Sequence, residues 1–162
     1  MTPIIALVGR SNSGKTTLLE RLIPALEKKG YRVGTIKHTT GRYPLDKEGK
    51  DSWRFAQAGA KTVAFATPDG FALMRYEPWD LGEIAALMPG VDLILAEGHK
   101  IGPYPKIIVH RPEVGDPPEL VDPIIATVGS LTREGVPSFD HEDIAGIADF
   151  IASRVGPPSR QE

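Results

Sequence analysis

The sequence predicts a three-layer α/β fold with a mostly parallel sheet, helices on both faces and an antiparallel edge hairpin. Short apolar runs without alternation, beginning with Ile4 to Val8, are typical of parallel strands that are buried on both faces. Segments with apolar residues at helical spacing separate these runs, and strands that alternate with helices form parallel sheets. At 162 residues the chain has the length of one ordinary domain, which we expect over residues 1–155.

The individual elements follow in order. After the first strand and a glycine-bearing loop, Leu18, Leu22 and Leu26 lie at helical spacing, and Gly30 suits the end of this helix. Pro24 falls inside the helix, where proline removes a backbone hydrogen bond, so we predict a kink there. The other predicted strands cover residues 31–36, 62–66, 71–76, 91–96, 106–110 and 124–128, and the other helices cover 52–59, 79–88 and a last segment capped by Asp140.

Composition excludes several classes of protein. The chain has no cysteine, which excludes disulfides, iron–sulfur clusters and a cysteine nucleophile. No apolar run approaches the roughly 20 residues of a membrane span, and no signal peptide is evident, so we expect a cytoplasmic protein. The net charge of −2 argues against nucleic-acid binding, but residues 1–50 carry ten Lys or Arg and four Asp or Glu, which suits an anionic small ligand. Residues 156–162 are expected to form a disordered tail.

The loop after the first strand contains the string Gly-x-x-x-x-Gly-Lys-Thr, from Gly9 to Thr16. In such a P-loop, backbone N–H groups wrap a phosphate at a helix N-terminus, the lysine reaches the outer phosphates and the threonine hydroxyl ligates Mg²⁺. The motif therefore predicts a nucleoside triphosphate site in a P-loop NTPase. The predicted nucleotide-binding residues are Gly9, Ser11, Asn12, Ser13, Gly14, Lys15, Thr16 and Thr17.

Carboxylates for a Mg²⁺ site are expected at the carboxyl ends of strands beside the P-loop strand. Glu97 ends the apolar run that begins at Leu93 and is the preferred candidate. Asp92 opens the same strand, about 16 Å from Glu97, and is too distant to share one metal ion. In the long loop after the second strand, Asp46 of the string Asp-Lys-Glu-Gly is the preferred second carboxylate, with Asp51 as the alternative. The predicted metal ligands are Thr16, Asp46 and Glu97, and the predicted catalytic residues are Lys15, Glu97 and Asp46.

Other residues are less determined by the sequence. Candidates for contacts with further anionic groups are Lys37, Lys50 and Lys100, although a lone lysine is usually a solvated side chain. The histidines show no metal-ligand spacing. The guanine-reading string Asn-Lys-x-Asp of many GTPases is missing, because the only asparagine in the chain is Asn12. The residues alone therefore do not choose between ATP and GTP, and Arg10 and Arg42 are candidates for an arginine finger without assigned geometry.

Beyond the P-loop, several short strings occur in an order that resembles the MobB family of molybdopterin-guanine dinucleotide biosynthesis adaptor proteins. These strings are Ile36-Lys37-His38, Gly49-Lys50-Asp51-Ser52, Ala58-Gly59-Ala60, Glu97-Gly98-His99-Lys100 and Pro105-Lys106-Ile107, together with Asp46. The resemblance runs from residue 4 to about residue 111, and beyond that point only a strand and the final helix fit.

The resemblance implies a GTP-binding protein with weak hydrolysis. Such a protein acts as a homodimer. It assists the guanylyltransferase MobA when GMP is joined to molybdenum-loaded molybdopterin, and molybdopterin is a further candidate partner. On this basis Lys15 and Thr16 hold phosphates and Mg²⁺, while Asp46 and Glu97 supply carboxylates around the metal. Two alternatives stay open, a P-loop small-molecule kinase that uses ATP and a metal-delivery GTPase. The kinase would need an arginine-bearing lid, and the metal-delivery protein a cluster of His or Cys.

Overall fold

The computed structural model describes residues 1–41, 43–119 and 122–159. The strands are β1 (Ile4–Val8), β2 (Val33–Lys37), β3 (Thr62–Thr67), β4 (Gly70–Arg75), β5 (Leu93–Glu97), β6 (Lys106–His110), β7 (Ile124–Gly129) and β8 (Ser138–Phe139). The helices are α1 (Lys15–Glu27), α2 (Asp51–Gln57), α3 (Leu81–Ala86) and α4 (Ile144–Val155). None of the described helices combines the length and apolar character needed to cross a membrane.

Six strands form a parallel sheet in the order β2-β5-β1-β6-β7-β8, which confirms the predicted α/β class. The predicted hairpin is present as β3 and β4, which pair antiparallel to each other. It forms a two-stranded sheet of its own, however, whereas β2 and β8 are the edges of the larger sheet. The hairpin is therefore an addition to the parallel sheet and not its edge.

The chain forms two compact units. The first consists of the residues up to Thr39 and those from Ala85 onward, and it contains the six-stranded sheet. The second unit, Thr40–Ile84, contains α2 and the hairpin. The predicted extent of a single nucleotide-binding domain, residues 1–155, stays a prediction.

The core of the first unit lies between the parallel sheet and its helices. Every residue of β1 is buried, as are the first four of β5, which is the expected environment for apolar parallel strands. Leu22 and Leu26 of α1 and Ile147 and Ile151 of α4 are fully buried in the same cluster. This packing holds the carboxyl ends of β1, β5 and β6 side by side. The residues that follow these strands therefore meet at the carboxyl-terminal side of the sheet.

Two helix predictions differ in detail from the structure. The cap of α4 is Asp143 and not Asp140, because Asp143 Oδ1 accepts the Gly146 N–H at 2.9 Å. Asp140 accepts the Glu142 N–H at 2.8 Å and so stabilises the turn before the helix. Helix α1 continues through Pro24 to its end, and the kink at Pro24 stays a prediction.

Asp92 directly precedes β5 and lies at the amino-terminal side of the sheet, opposite the P-loop. Its carboxylate accepts the Arg32 backbone N–H at 2.8 Å and the Arg32 guanidinium through Nε and Nη2, each at 3.0 Å. These hydrogen bonds from Arg32 hold the pKa of Asp92 well below its usual range. Asp92 also accepts the Ser159 N–H at 3.0 Å, and the Tyr31 hydroxyl donates to the Gly156 carbonyl at 2.5 Å. The predicted tail thus makes hydrogen bonds as far as Ser159, and residues 160–162 lie outside the described residues.

We expect Asp92→Asn to lower the free energy of unfolding at pH 7 by about 1–3 kcal/mol, because Arg32 loses its counter-charge. Since the pKa of Asp92 is lower in the folded chain than in the unfolded one, its contribution is complete above the unfolded value of about 3.9. That contribution is lost as the pH falls through the folded value. Urea unfolding at pH 7, 5, 4 and 3 measures the effect, and the difference between the proteins should shrink below about pH 4.

The control is Asp149→Asn, which removes a carboxylate that pairs with Lys29 at an exposed position. Exposed pairs contribute little, so this variant should stay within about 1 kcal/mol of the wild type. A difference between Asp92→Asn and the wild type that is independent of pH would contradict the ionic role of Asp92.

Candidate functional site

The P-loop connects the end of β1 to the start of α1. Asn12 and Gly14 adopt left-handed φ angles of 63° and 93°, and α1 begins at Lys15. The loop therefore lies at a helix N-terminus, where unpaired N–H groups favour an anion. Ser13 is fully buried, and its hydroxyl has no hydrogen-bond partner among the described residues. Because an unsatisfied buried hydroxyl is costly, Ser13 is a candidate for contact with a ligand.

Gly9 is required by the packing of the loop as well as by the approach of a phosphate. A Cβ atom at this position would overlap with the Val109 carbonyl oxygen of β6 and lie 2.7 Å from Ser13 Oγ. Any larger residue would therefore displace either the backbone of β6 or the loop itself. The first glycine of the motif thus holds the loop against the strand beside β1.

The Lys15 side chain folds back onto the loop. Its Nζ donates to the carbonyl oxygens of Arg10 at 2.6 Å and Gly9 at 3.3 Å. Burial lowers the pKa of Lys15, the charges of Lys100 and Lys37 lower it further, and Glu97 acts in the opposite direction. Two of the three lysines predicted to contact anions therefore lie close enough to Lys15 to act on its charge. A bound anion would relieve this mutual repulsion.

Glu97 lies at the end of β5, in register with Leu7 of β1 and Lys37 of β2. Its carboxylate accepts the Thr16 hydroxyl at 3.0 Å and lies 3.7 Å from Lys37 Nζ. The side chain of Glu97 is 15% exposed, whereas that of Lys37 is 71% exposed. Solvent therefore screens the Glu97 charge less than an exposed charge. The structure brings the side-chain oxygen atoms of Thr16 and Glu97 together, and oxygen atoms are the ligands that Mg²⁺ prefers.

The second unit contains the other predicted site residues. Asp46, Lys50 and Asp51 line a cavity of about 530 Å³. Asp46 Oδ1 accepts the Lys47 N–H at 2.7 Å, while Asp46 Oδ2 is buried without a hydrogen-bond partner among the described residues. The side chain of Asp51 is 84% exposed and lies 3.7 Å from Arg54. The unsatisfied oxygen favours Asp46 over Asp51 as a ligand-binding carboxylate.

Arg111, which the sequence patterns did not select, lies beside the P-loop. A methyl group on Gly14 would lie 3.1 Å from Arg111 Nη2 and 3.2 Å from its Cζ. Arg10 Nε donates to the Asp116 carbonyl, so the segment after β6 folds back over the loop. The available signal was a basic residue directly after a strand that neighbours the P-loop strand. Arg42, the other arginine considered above, lies outside the described residues.

Two histidines meet beside Glu97 although the sequence shows no ligand spacing. The rings of His38 and His99 are 5.2 Å apart, and the His99 N–H donates to His38 Nδ1 at 3.2 Å. They meet because they follow β2 and β5, which are neighbours in the sheet. Burial, followed by the charges of His38 and Lys106, lowers the pKa of His99. Within the described ranges, no group of three or more His, Asp or Glu side chains is arranged to hold a metal ion.

The chain is similar to known proteins over nearly its whole length. The model of a family described as MobB, molybdopterin guanine dinucleotide synthesis protein B, matches residues 4–130. A molybdopterin-guanine dinucleotide biosynthesis adapter protein from Haemophilus influenzae is 41% identical over 92% of this chain and 87% of that protein. The protein of the same description from Escherichia coli is 39% identical over 93% of this chain and 92% of that protein.

Solved structures agree with this similarity. The crystal structure of Bacillus subtilis MobB superposes with a TM-score of 0.75 at 30% identity, covering 95% of this chain and 98% of that chain. A MobB homolog from Bacillus stearothermophilus gives a TM-score of 0.64 at 25% identity, with coverage of 94% and 97%.

Proposed function

The chain belongs to the MobB family of molybdopterin-guanine dinucleotide synthesis proteins, and from this premise we propose that it binds GTP with Mg²⁺, hydrolyses it weakly and assists the guanylyltransferase MobA. The observation that carries the proposal is the hydrogen bond between Thr16 and Glu97. This bond joins the hydroxyl of the P-loop to a shielded carboxylate from the neighbouring strand, and phosphate-bound Mg²⁺ requires both groups.

In this proposal the loop binds the phosphates, and Lys15 exchanges the carbonyl oxygens of Gly9 and Arg10 for phosphate oxygens. The oxygen atoms of Thr16 and Glu97 fit Mg²⁺, which usually takes one or two carboxylates in addition to phosphates and waters. Held by Thr16 and Glu97, Mg²⁺ would supply positive charge that offsets the negative charge of a transferring phosphoryl group. Hydrolysis is weak in this proposal because Lys15 can stabilise the phosphate charge, whereas no residue within the described ranges can be assigned to orient the attacking water.

The proposed partners follow from the family. The relatives from Haemophilus influenzae and Escherichia coli are adapter proteins of molybdopterin-guanine dinucleotide biosynthesis. We therefore propose MobA as a partner of this chain, with molybdopterin as a further candidate. Exposed apolar side chains on the hairpin, including Phe65 and Phe71, support a homodimer. Exposed apolar patches of this kind are typical of protein interfaces.

The proposal is tested by measuring the binding and turnover of GTP and ATP side by side, with and without MobA and molybdopterin. We expect GTP to bind more tightly, its hydrolysis to be slow, and formation of molybdopterin-guanine dinucleotide to increase when the protein is added to MobA. A preference for ATP with transfer of phosphate to an added acceptor would instead support the small-molecule kinase.

A further inference from the structure

A cavity of about 420 Å³ lies at the carboxyl ends of β6 and β7. Strand β6 is the neighbour of β1 on the side away from β5. The cavity and the P-loop are therefore at the same edge of one parallel sheet, where α/β proteins bind their ligands. Its volume is within the usual range for small-molecule sites. The site formed by the P-loop, Lys15 and Glu97 does not account for this cavity.

Arg111 connects the cavity to the P-loop. It lines the cavity, and its guanidinium packs against Gly14 at the start of α1. A nucleotide with its phosphates in the loop would thus have Arg111 beside the part of the molecule that extends toward β6. The planar guanidinium stacks on aromatic rings, including nucleic-acid bases. The cavity is accordingly placed for a base, with Arg111 on one of its faces.

His110 fixes the wall of the cavity. Its Nε2 lies 3.2 Å from the Gly115 carbonyl and its Nδ1 lies 2.9 Å from Ser130 Oγ. Because a carbonyl can only accept, Nε2 carries the proton, and in the neutral ring Nδ1 accepts the Ser130 hydroxyl. In turn, His141 Nε2 donates to the His110 carbonyl at 3.1 Å. These bonds join the segments after β6, β7 and β8 into one preorganised surface.

Glu113 lies in the loop that the hydrogen bond between His110 and Gly115 closes. It is in the short 3₁₀ turn Pro112–Val114, between the two residues joined by the His110–Gly115 bond, and it lines the cavity. The string His110-Arg111-Pro112-Glu113 begins with the last residue of β6, the strand beside β1, and places an acidic residue two positions after a basic one. The Asn-Lys-x-Asp string of many GTPases has the same spacing of base and acid, so the missing asparagine does not exclude a guanine site here.

We propose that this cavity binds the guanine base of the nucleotide, with Arg111 stacked on the base and Glu113 accepting hydrogen bonds from guanine N1–H and the 2-amino group. This inference deepens the proposed GTP-binding function and rests on it. Guanine presents two neighbouring donors at this edge, which a carboxylate can accept as a bidentate pair. Adenine has an unprotonated N1 there and would face the carboxylate with an acceptor. Glu113 would therefore select guanine.

Asp140 provides a matched control because it is the other carboxylate that lines the cavity. Its Oδ1 is already engaged by the Glu142 N–H at 2.8 Å, which fixes the turn before α4. Glu113→Gln and Asp140→Asn make the same change of charge in the same cavity, but only the first removes the proposed base-reading group.

The test measures the affinities of GTP, inosine triphosphate and xanthosine triphosphate, each with Mg²⁺, by calorimetry on the full chain and both variants. The wild type should prefer GTP to inosine triphosphate, which lacks the 2-amino group. Glu113→Gln should weaken GTP binding about 10- to 100-fold. It should also improve binding of xanthosine triphosphate, because the amide can donate to the 2-oxo group. Asp140→Asn should keep the wild-type order, and equal thermal unfolding midpoints would show that both variants fold.

The outcomes separate the two proposals. Failure of the wild type to bind any of the three nucleotides would contradict the proposed function itself. Tight binding of GTP to the wild type with an unchanged order of affinities in Glu113→Gln would overturn the base site alone. A loss of GTP preference in Asp140→Asn, with Glu113→Gln unaffected, would overturn the choice of Glu113.

Discussion

Replacing Lys15 with alanine is expected to abolish measurable binding of nucleoside triphosphates. The Lys15 ammonium donates to the carbonyl oxygens of the loop. Burial lowers its pKa, Glu97 partly opposes this shift, and the charges of Lys100 and Lys37 add to it, so the positive charge is unfavourable when no anion is bound. A triphosphate provides the compensating negative charge, so the loss should be at least about 100-fold in Kd, or about 2.8 kcal/mol. Isothermal titration calorimetry with GTP and Mg²⁺ measures it directly.

The matched control is Lys28→Ala, which removes a lysine from the other end of α1, at its C-cap. This variant should bind GTP as the wild type does. Thermal unfolding of both variants should stay close to the wild type, because neither replaces a residue of the hydrophobic core. Wild-type affinity in Lys15→Ala would show that the P-loop does not bind the phosphates.

Glu97→Gln is expected to raise the Mg²⁺ concentration required for GTP binding and hydrolysis by about 10- to 100-fold. The amide preserves the size of the side chain and can still accept the Thr16 hydroxyl, but it removes the shielded negative charge that attracts the cation. In the absence of Mg²⁺ the effect should have the opposite sign, because the carboxylate then repels the triphosphate. Titrations of Mg²⁺ at constant GTP, followed by calorimetry and phosphate release, measure both effects.

Glu27→Gln is the control, since Glu27 is an exposed glutamate at the end of α1. An unchanged Mg²⁺ dependence in Glu97→Gln would mean that Glu97 has a structural role only. The same titration on Asp46→Asn and Asp51→Asn decides the second carboxylate. We expect the larger effect from Asp46→Asn, because Asp46 Oδ2 is buried and has no hydrogen-bond partner within the part of the chain that the structure describes.

The proximity of the P-loop and Glu97 could be predicted because it depends on a local motif and on the order of the parallel strands. The loop from Gly9 to Thr16 is contiguous, so one motif describes it. Glu97 could be added because parallel strands bring their carboxyl ends to one edge, and the register indeed places it beside Lys37. The roles of these residues toward a nucleotide stay predictions.

Other features could not be predicted because they depend on contacts between distant segments. Arg111 packs on Gly14, but the two residues are far apart in the chain, so no local sequence pattern predicts this contact. Asp140 is the cap predicted for α4, but in the structure Asp143 accepts the Gly146 N–H, because the backbone path before the helix decides which aspartate reaches it. The hairpin could be located from its turn, but strand propensity does not specify the sheet to which a hairpin belongs.

The strand order also determines when the protein can complete its fold during synthesis. Strands β1 and β2 are made first, yet β5 lies between them in the sheet, and the other neighbour of β1 is the still later β6. With ribosomes adding about 5–20 residues per second, the apolar β1 remains without a strand partner for several seconds. Meanwhile the residues of the second unit emerge, and they can fold early because β3 and β4 are close together in the sequence. The pairing of β1 with β5, which brings the P-loop and Glu97 together, therefore forms only after more than half of the chain has left the ribosome.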